Sequence, residues 1–382
     1  MLAKKIVYLS IVLAVLFSSS LSVDASPLLN LQPSQPKTQV RSLSINSKNT
    51  IRLVVVIVNP IHTETLSITN EEVQDIIFGK ADSLKTFYKE NSEGVLDIVG
   101  DVVGPLSVSY SHIIPESLSL NAVDSYVDFR NYDRVLLIST VAGTCDGYAS
   151  GYGPQNVFTE DGVLNLAVAM TTGQCVKDFR DSTRNGSILH EFGHTLGLGH
   201  VAAWLSNPLI KCPRTIPLED VVGNNNCYSA YGGSTVMGTA NSNLNNFQRQ
   251  MLASSFSEGT FNFPSLTITE SGNYWIHWFK DNQDRNYYEE LKIPAENGYF
   301  SVEFRKNTLP VFDQEKIFIN FVSNIRLVSA VPLGHYMDTI LVRAPAFSLQ
   351  NINDTYSDPT RNFSVRVLQM EENRALLRVE VE

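Results

Sequence analysis

Two long apolar runs stand out in the first half of the chain. Residues Ile51 to Val58 and Arg134 to Thr140 are almost continuously hydrophobic, which is typical of strands that are buried on both faces of a sheet. Leu96 to Val103 and Val163 to Thr171 are predicted as two further strands.

Segments with helical spacing lie between these strands. Thr69 begins a predicted helix that carries two glutamates in its first turn, where acidic side chains suit the helix dipole. Gly94 ends this helix, and Gly79 weakens its middle. A further helix is predicted over Leu118 to Phe129. Because strands that alternate with helices form largely parallel sheets, residues 50–257 are predicted to form an α/β domain with a mixed, mostly parallel twisted sheet.

The pattern changes after about Phe256 to short alternating segments separated by turns. Turn dipeptides such as Gly272-Asn273 and Asn297-Gly298 lie between the segments. Seven short strands at this spacing predict an all-β sandwich over residues 258–382. The predicted strands are Leu266 to Thr269, Tyr274 to Phe279, Tyr299 to Arg305, Lys316 to Val322, Ile340 to Arg343, Phe363 to Gln369 and Ala375 to Val381.

The first 25 residues have the pattern of a signal peptide. Lys4 and Lys5 precede a short apolar run, Ile6 to Phe17, and Ala25 is a small residue suited to cleavage. The run is too short to span a bilayer comfortably, so an uncleaved membrane anchor is the weaker interpretation. Residues 26–49, rich in Pro, Ser and Gln, are predicted to be a linker or a short pro-segment. We therefore expect a secreted, extracellular protein with no membrane association after cleavage.

The net charge and the cysteine content bear on the partners and on the covalent structure of the protein. A formal net charge of -10 argues against a nucleic-acid partner, which requires a basic surface. Four cysteines in an exported chain suggest two disulfides, and the sequence alone permits three pairings. We favour Cys145 with Cys175 and Cys212 with Cys227, because each pair closes a local loop. The chain is expected to act as a monomer.

The stretch His190-Glu191-Phe192-Gly193-His194-Thr195-Leu196-Gly197-Leu198-Gly199-His200 carries the chemistry. Residues four apart lie on one face of a helix, so His190 and His194 can reach one zinc ion. Gly197 can end the helix and let the chain deliver His200 as a third ligand. Glu191 falls beside the metal and suits a general base, while the open fourth position is typical of a catalytic zinc. A chance match on an ordinary amphipathic helix is disfavoured, since three of the seven histidines fall here.

This stretch resembles the extended zinc signature of the metzincin metalloproteases, and Ser234 to Gly238 resembles their methionine turn. Within that class the chain is most similar to the gametolysin-like peptidases. That likeness rests on Phe87 to Gly94, Tyr231 to Gly233, Asn246 to Arg249, Tyr299 to Arg305 and Phe312-Asp313, and it covers most of residues 50–382.

The resemblance implies a metzincin-like catalytic domain with one catalytic Zn²⁺, in which Met237 forms a hydrophobic floor without binding the metal. Thr239 stands where astacin-like relatives have a tyrosine, so no fifth ligand is expected. The pro-segment lacks the cysteine or aspartate that some relatives use to block zinc. A Ca²⁺ ion would suit this class, but no acidic cluster has the ligand spacing to support one.

The implied activity is hydrolysis of peptide bonds in extracellular proteins, with matrix or cell-wall glycoproteins as candidate substrates. Leu166 to Ala169 is the predicted sheet edge along which an extended substrate lies. The alternative is an inert adhesive protein, binding glycan or protein, with a vestigial zinc site. It is disfavoured because degenerate relatives usually lose the base or a ligand, and neither is lost here.

Overall fold

The computed structural model describes most of the chain from residue 49 onward. The described residues are 49–61, 64–109, 116–145, 147–149, 153–179, 186–204, 228–229, 235–238, 243–257, 263–278, 288–295, 298–306, 315–328, 336–341, 349–358 and 362–382.

A six-stranded sheet forms the first part of the fold, as the apolar runs predict. Its order is β2-β1-β3-β6-β4, with β5 also paired to β6. β1, β2, β3 and β6 are parallel to their neighbours, whereas β4 and β5 run antiparallel to β6. The predicted mixed, mostly parallel sheet is therefore confirmed. The strands are β1 Thr50–Pro60, β2 Asp97–Val108, β3 Arg134–Ser139, β4 Gly147–Ala149, β5 Gln155–Thr159 and β6 Gly162–Thr172.

Both faces of this sheet are covered. Leu53, Val55 and Ile57 of β1 belong to one buried cluster, while the alternating Val54 and Val56 belong to another. This explains why β1 is a continuous apolar run and not an alternating one, because successive side chains of a strand point to opposite faces.

The single helix predicted from Thr69 to Gly94 is in fact two helices. Thr69 caps the first helix through a capping box with Glu72, as the sequence suggests. The helix ends at Gly79, where a Cβ would collide with the carbonyl oxygen of Asp75, and Ser83 then caps a second helix. The helix predicted to reach Phe129 stops at Val123 and continues as 3₁₀ turns. The helices here are α1 Asn70–Phe78, α2 Leu84–Asn91, α3 Glu116–Val123, α4 Gly173–Lys177 and α5 Gly186–Thr195.

The predicted substrate edge at Leu166 to Ala169 is wrong. These residues lie on β6, which pairs with β3 on one side and with β4 and β5 on the other. All four are buried. The short antiparallel strands β4 and β5, which were not predicted from the sequence, pair with the other side of β6. The last strand in the sheet order is therefore β4 and not β6.

The second half is rich in sheet, as predicted. A four-stranded sheet has the order β10-β17-β16-β15, and a seven-stranded sheet has the order β8-β7-β14-β13-β12-β11-β9. Ile276 and Val365 of the smaller sheet share a buried cluster with Ile293 and Phe300 of the larger one, so the two sheets enclose one core. All seven predicted segments overlap strands, while β11 and β15 were not predicted.

The remaining elements follow α5 in the chain. They are β7 His200–Trp204, β8 Tyr228–Ser229, α6 Asn246–Phe256, β9 Ser265–Thr267, β10 Gly272–His277, β11 Glu290–Ala295, β12 Gly298–Lys306, β13 Glu315–Val328, β14 Tyr336–Leu341, β15 Thr355–Asp358, β16 Phe363–Glu371 and β17 Arg374–Val381.

The seven-stranded sheet spans the predicted domain boundary at 257/258. Its strands β7 and β8 precede that position, and β7 pairs in parallel with β14, so that Met337 lies opposite His200. All described residues belong to one compact unit. Strands from both sides of position 257/258 therefore share one sheet, and the division into a catalytic domain and a β-sandwich domain stays a prediction.

Cys145 and Cys175 form a disulfide, as predicted, across 30 residues of sequence. The predicted Cys212–Cys227 pair, the signal peptide, Thr239, Tyr231 to Gly233 and Phe312-Asp313 lie outside the described residues. In the part of the chain that the structure describes, no helix is long and apolar enough to cross a bilayer.

Candidate metal centre

Helix α5 and the start of β7 bring the three predicted histidines together. His190 and His194 lie one turn apart on α5. The helix ends where the Leu198 N–H donates to the carbonyl of Gly193, and Gly197 takes a φ of 88°. Glycine adopts this left-handed conformation without steric cost, so the chain can reverse here and start β7 at His200.

The three imidazoles converge through their Nε2 atoms. The separations are 3.1 Å between His190 and His194, 3.0 Å between His194 and His200, and 3.2 Å between His190 and His200. Nitrogens bound to a tetrahedral zinc at 2.0–2.1 Å lie about 3.3–3.4 Å apart. The three nitrogens thus form a triangle of nearly the size that one zinc ion requires, and the cluster could hold a metal ion.

Hydrogen bonds at the opposite ring nitrogens set the tautomers of two of the three histidines. His190 Nδ1 lies 2.8 Å from the carbonyl oxygen of Val236, and His194 Nδ1 lies 2.8 Å from that of Leu198. A carbonyl can only accept, so each Nδ1 carries the proton and donates it. Each Nε2 then keeps its lone pair for a metal, which is the usual arrangement around histidine ligands.

Glu191 lies beside the histidine cluster and not within it. Among the described residues, the group of mutually close ligand atoms holds the three histidines and no carboxylate. Glu191 is half-buried. Burial and, to a smaller extent, the negative charge of Glu191 raise the pKa of Tyr88 well above the ordinary value. A Cβ built on Gly147 would collide with Glu191 Cγ, so the backbone of β4 passes directly along the Glu191 side chain.

The segment around Met237 packs against α5. Met237 is fully buried, and a Cβ added at Gly193 would collide with its sulfur. The Met237 carbonyl accepts from the Val201 N–H at 2.9 Å, next to His200. The segment from Val236 to Met237 therefore packs against α5. Its Val236 carbonyl accepts a hydrogen bond from His190 Nδ1, and its Met237 carbonyl holds the start of β7.

No protein-family model matches the sequence, and a search of curated proteins finds no match. Among solved structures, the chain is similar to catalytically inactive OgpA from Akkermansia muciniphila in complex with an O-glycopeptide substrate. The identity is 10%, the TM-score is 0.28, and the match covers 90% of this chain and 98% of the other. A TM-score of this size does not establish a common fold.

Three buried side chains near the histidines were not anticipated from the sequence. Tyr88, Arg134 and Gln248 each donate to a backbone carbonyl next to one of the histidines. Tyr88 and Gln248 fall in stretches that carry the family likeness, but no periodicity or spacing relates them to the zinc signature. Their partners lie 49 to 101 residues away along the chain, so local patterns could not reveal them.

Proposed function

We propose that this chain is a secreted zinc-dependent endopeptidase of the metzincin class, most similar to the gametolysin-like peptidases, acting on extracellular proteins. The observation that carries the proposal is the triangle of three Nε2 atoms, each about 3 Å from the others, with Glu191 on the same helix next to His190.

The roles of the residues follow from this arrangement. His190, His194 and His200 would hold the metal. A zinc ion held there supplies Lewis acidity, which lowers the pKa of water and polarises a carbonyl group. Glu191 acts as general base: it takes a proton from the attacking water and passes it to the leaving nitrogen as the C–N bond breaks.

The substrate backbone is proposed to lie along β4 and not along β6. β4 ends the sheet order, and its Gly147 lies against Glu191. An extended peptide that adds to a sheet edge gains backbone hydrogen bonds. A scissile bond placed there would lie next to the proposed base.

The test is cleavage of casein by the purified full chain, with and without a chelator. We expect cleavage that the chelator abolishes and added zinc restores. Glu191→Ala should keep about one zinc per chain and lose about 10²–10⁴-fold in kcat. His194→Ala should lose zinc and activity together, because only two ligands remain.

Three results would contradict the proposal. Cleavage that survives complete zinc removal would exclude a zinc mechanism. A metal-free Glu191→Ala variant would make Glu191 a ligand and not a base. Bound zinc with no cleavage of any protein substrate would favour the inert binding protein instead. N-terminal sequencing of the exported protein tests secretion and shows whether residues 26–49 are removed.

A further inference from the structure

Each of the three histidines has a neighbouring backbone carbonyl that is bound by a buried side chain from elsewhere. The Tyr88 hydroxyl donates to Leu189 O, one residue before His190, at 2.5 Å. Arg134 Nε donates to Thr195 O, one residue after His194, at 3.0 Å. Gln248 Nε2 donates to Gly199 O, one residue before His200, at 3.1 Å.

The three donors come from three different elements. Tyr88 is on α2, Arg134 begins β3, and Gln248 is on α6. Tyr88 and Gln248 are fully buried, and Arg134 is only 9% exposed. Burying a polar or charged side chain is costly, so its choice of partner matters. Each of the three donates to a carbonyl that flanks a histidine of one cluster, and Arg134 also donates through Nη1 to the carbonyl of Asp133.

Gln248 shows that general stability is a poor explanation of this pattern. Its amide orientation is fixed, because Gly199 O can only accept a hydrogen bond. Its Oε1 is buried and has no hydrogen-bond partner in the described part of the chain. Leaving such an acceptor unsatisfied opposes folding. The side chain therefore serves the bond to Gly199 in spite of this cost.

The histidine cluster itself creates a need for such support. Three nitrogen lone pairs at separations near 3 Å repel one another until a cation lies between them. The imidazoles keep this geometry only if the backbone that carries them is held from outside. A donor next to each ligand does this at the three points where it is needed.

We propose that Tyr88, Arg134 and Gln248 are positioning residues for the metal ligands, holding the three Nε2 atoms at coordination distance before the ion binds. The inference rests on the proposed zinc site. It predicts that each residue contributes to metal affinity without contacting the metal or the substrate and without taking part in the chemistry of Glu191.

The sharpest test is Tyr88→Phe, which removes one hydroxyl and leaves the ring. Its matched control is Tyr132→Phe, since Tyr132 is also buried and donates to Asp101 Oδ2 at 2.9 Å, but belongs to the core on the opposite face of the six-stranded sheet. The zinc dissociation constant of the full chain is measured by competition with a chromophoric chelator. We expect it to rise about 10-fold in Tyr88→Phe. It should stay within about twofold of wild type in Tyr132→Phe.

A second pair of variants tests the other end of the cluster. Gln248→Met removes the donor to Gly199 while keeping the length of the side chain. Gln250→Met is its control on the same helix, where Gln250 is half-buried and lies 3.4 Å from Lys292 Nζ. Gln248→Met should weaken zinc binding by a similar factor of about 10. Gln250→Met should not.

The thermal midpoint of the metal-free protein separates positioning from mere structural support. If Tyr88→Phe and Gln248→Met lower that midpoint but bind zinc as tightly as wild type, the three residues are structural and the inference is overturned. The inference is supported if the two variants weaken zinc binding, while the controls show a similar decrease in thermal midpoint and bind zinc normally. A wild-type chain that binds no zinc would instead overturn the proposed function.

Discussion

The backbone of Gly147 lies directly against the side chain of Glu191. A Cβ built on Gly147 would collide with Glu191 Cγ, and it would lie 3.1 Å from Glu191 Cδ and 2.7 Å from Ser187 Oγ. The strand at the end of the sheet order and the proposed base are therefore in contact, with space for no side chain between them.

Gly147→Ala is expected to lower kcat by about 10²-fold, because the added methyl must displace either Glu191 or β4. A shift of about 1 Å in a catalytic group can reduce the rate by this factor. Zinc content should not change, since the atoms nearest to the added methyl belong to Glu191 and Ser187 and not to a histidine. Metal analysis and steady-state kinetics on a casein peptide check both. An unchanged kcat would show that the close contact between Gly147 and Glu191 is not needed for catalysis.

Gly193→Ala should destabilise the protein by about 1–3 kcal/mol through overpacking, since the new methyl would collide with the sulfur of Met237 and lie 2.8 Å from the Tyr88 hydroxyl oxygen. Met237→Ala alone should cost about 2–5 kcal/mol by leaving a cavity. The double variant should lose less than the sum, because the space left by Met237 accepts the methyl. Urea denaturation of the four proteins measures this. Additive losses would mean that the two residues do not share a packing site.

Glu290 is expected to give the protein a pH-dependent stability. Burial, against the opposing attraction of Lys292 at 3.3 Å, raises the pKa of Glu290 to about 7. The folded state therefore binds this proton more tightly than the unfolded state, whose pKa is about 4.3. The contribution is fully present below that value and is lost as the pH rises through 7.

Glu290→Gln should remove this dependence, because the amide is neutral throughout. The stability of the variant relative to wild type should increase by about 2–3 kcal/mol between pH 5 and pH 8. The difference between the two urea denaturation curves across this range is the measurement, since other titrating groups cancel in it. A variant that is less stable at pH 8 would show that the Glu290–Lys292 ion pair outweighs burial.

Removing the Cys145–Cys175 disulfide by Cys145→Ser and Cys175→Ser should cost about 3–4 kcal/mol, the loop-closure value for the 30-residue separation. Zinc affinity should change little, because the described group of metal-ligating atoms consists of the three histidines and neither cysteine belongs to it. Since Cys145 lies two residues before Gly147, kcat should fall as well. Denaturant midpoints, zinc affinity and kcat are compared with those of wild type under non-reducing conditions. An unchanged midpoint would contradict the expected stabilisation.

Local patterns in the sequence anticipated the elements that depend on neighbours along the chain. The spacing of His190 and His194 places both on one helix face wherever that helix lies, and Gly197 ends it through its own conformational freedom. The apolar run of β1 implied burial on both faces. Each of these follows from backbone geometry and the order of side chains, so no tertiary contact was needed to predict it.

Other features depend on which segments contact each other in the folded chain. These features were either predicted wrongly from the sequence or not predicted at all. Gly79 and Ser83 divide a segment whose apolar spacing suggested one helix, since local caps outweighed the periodicity. Leu166 to Ala169 looked like an edge, but β4 and β5 cover it. No pattern announced that Tyr88 and Gln248 donate to carbonyls beside the histidines.

The sequence by itself was enough to predict the three histidines as ligands and Glu191 as the base, because residue type and spacing along the chain suffice for these predictions. Tertiary structure alone decided how the third histidine is held. His200 starts a strand that pairs with β14, opposite Met337, and its preceding carbonyl is bound by Gln248 from α6. Pairing between distant strands reflects which surfaces bury each other best, a property of the whole chain that no short stretch of sequence contains.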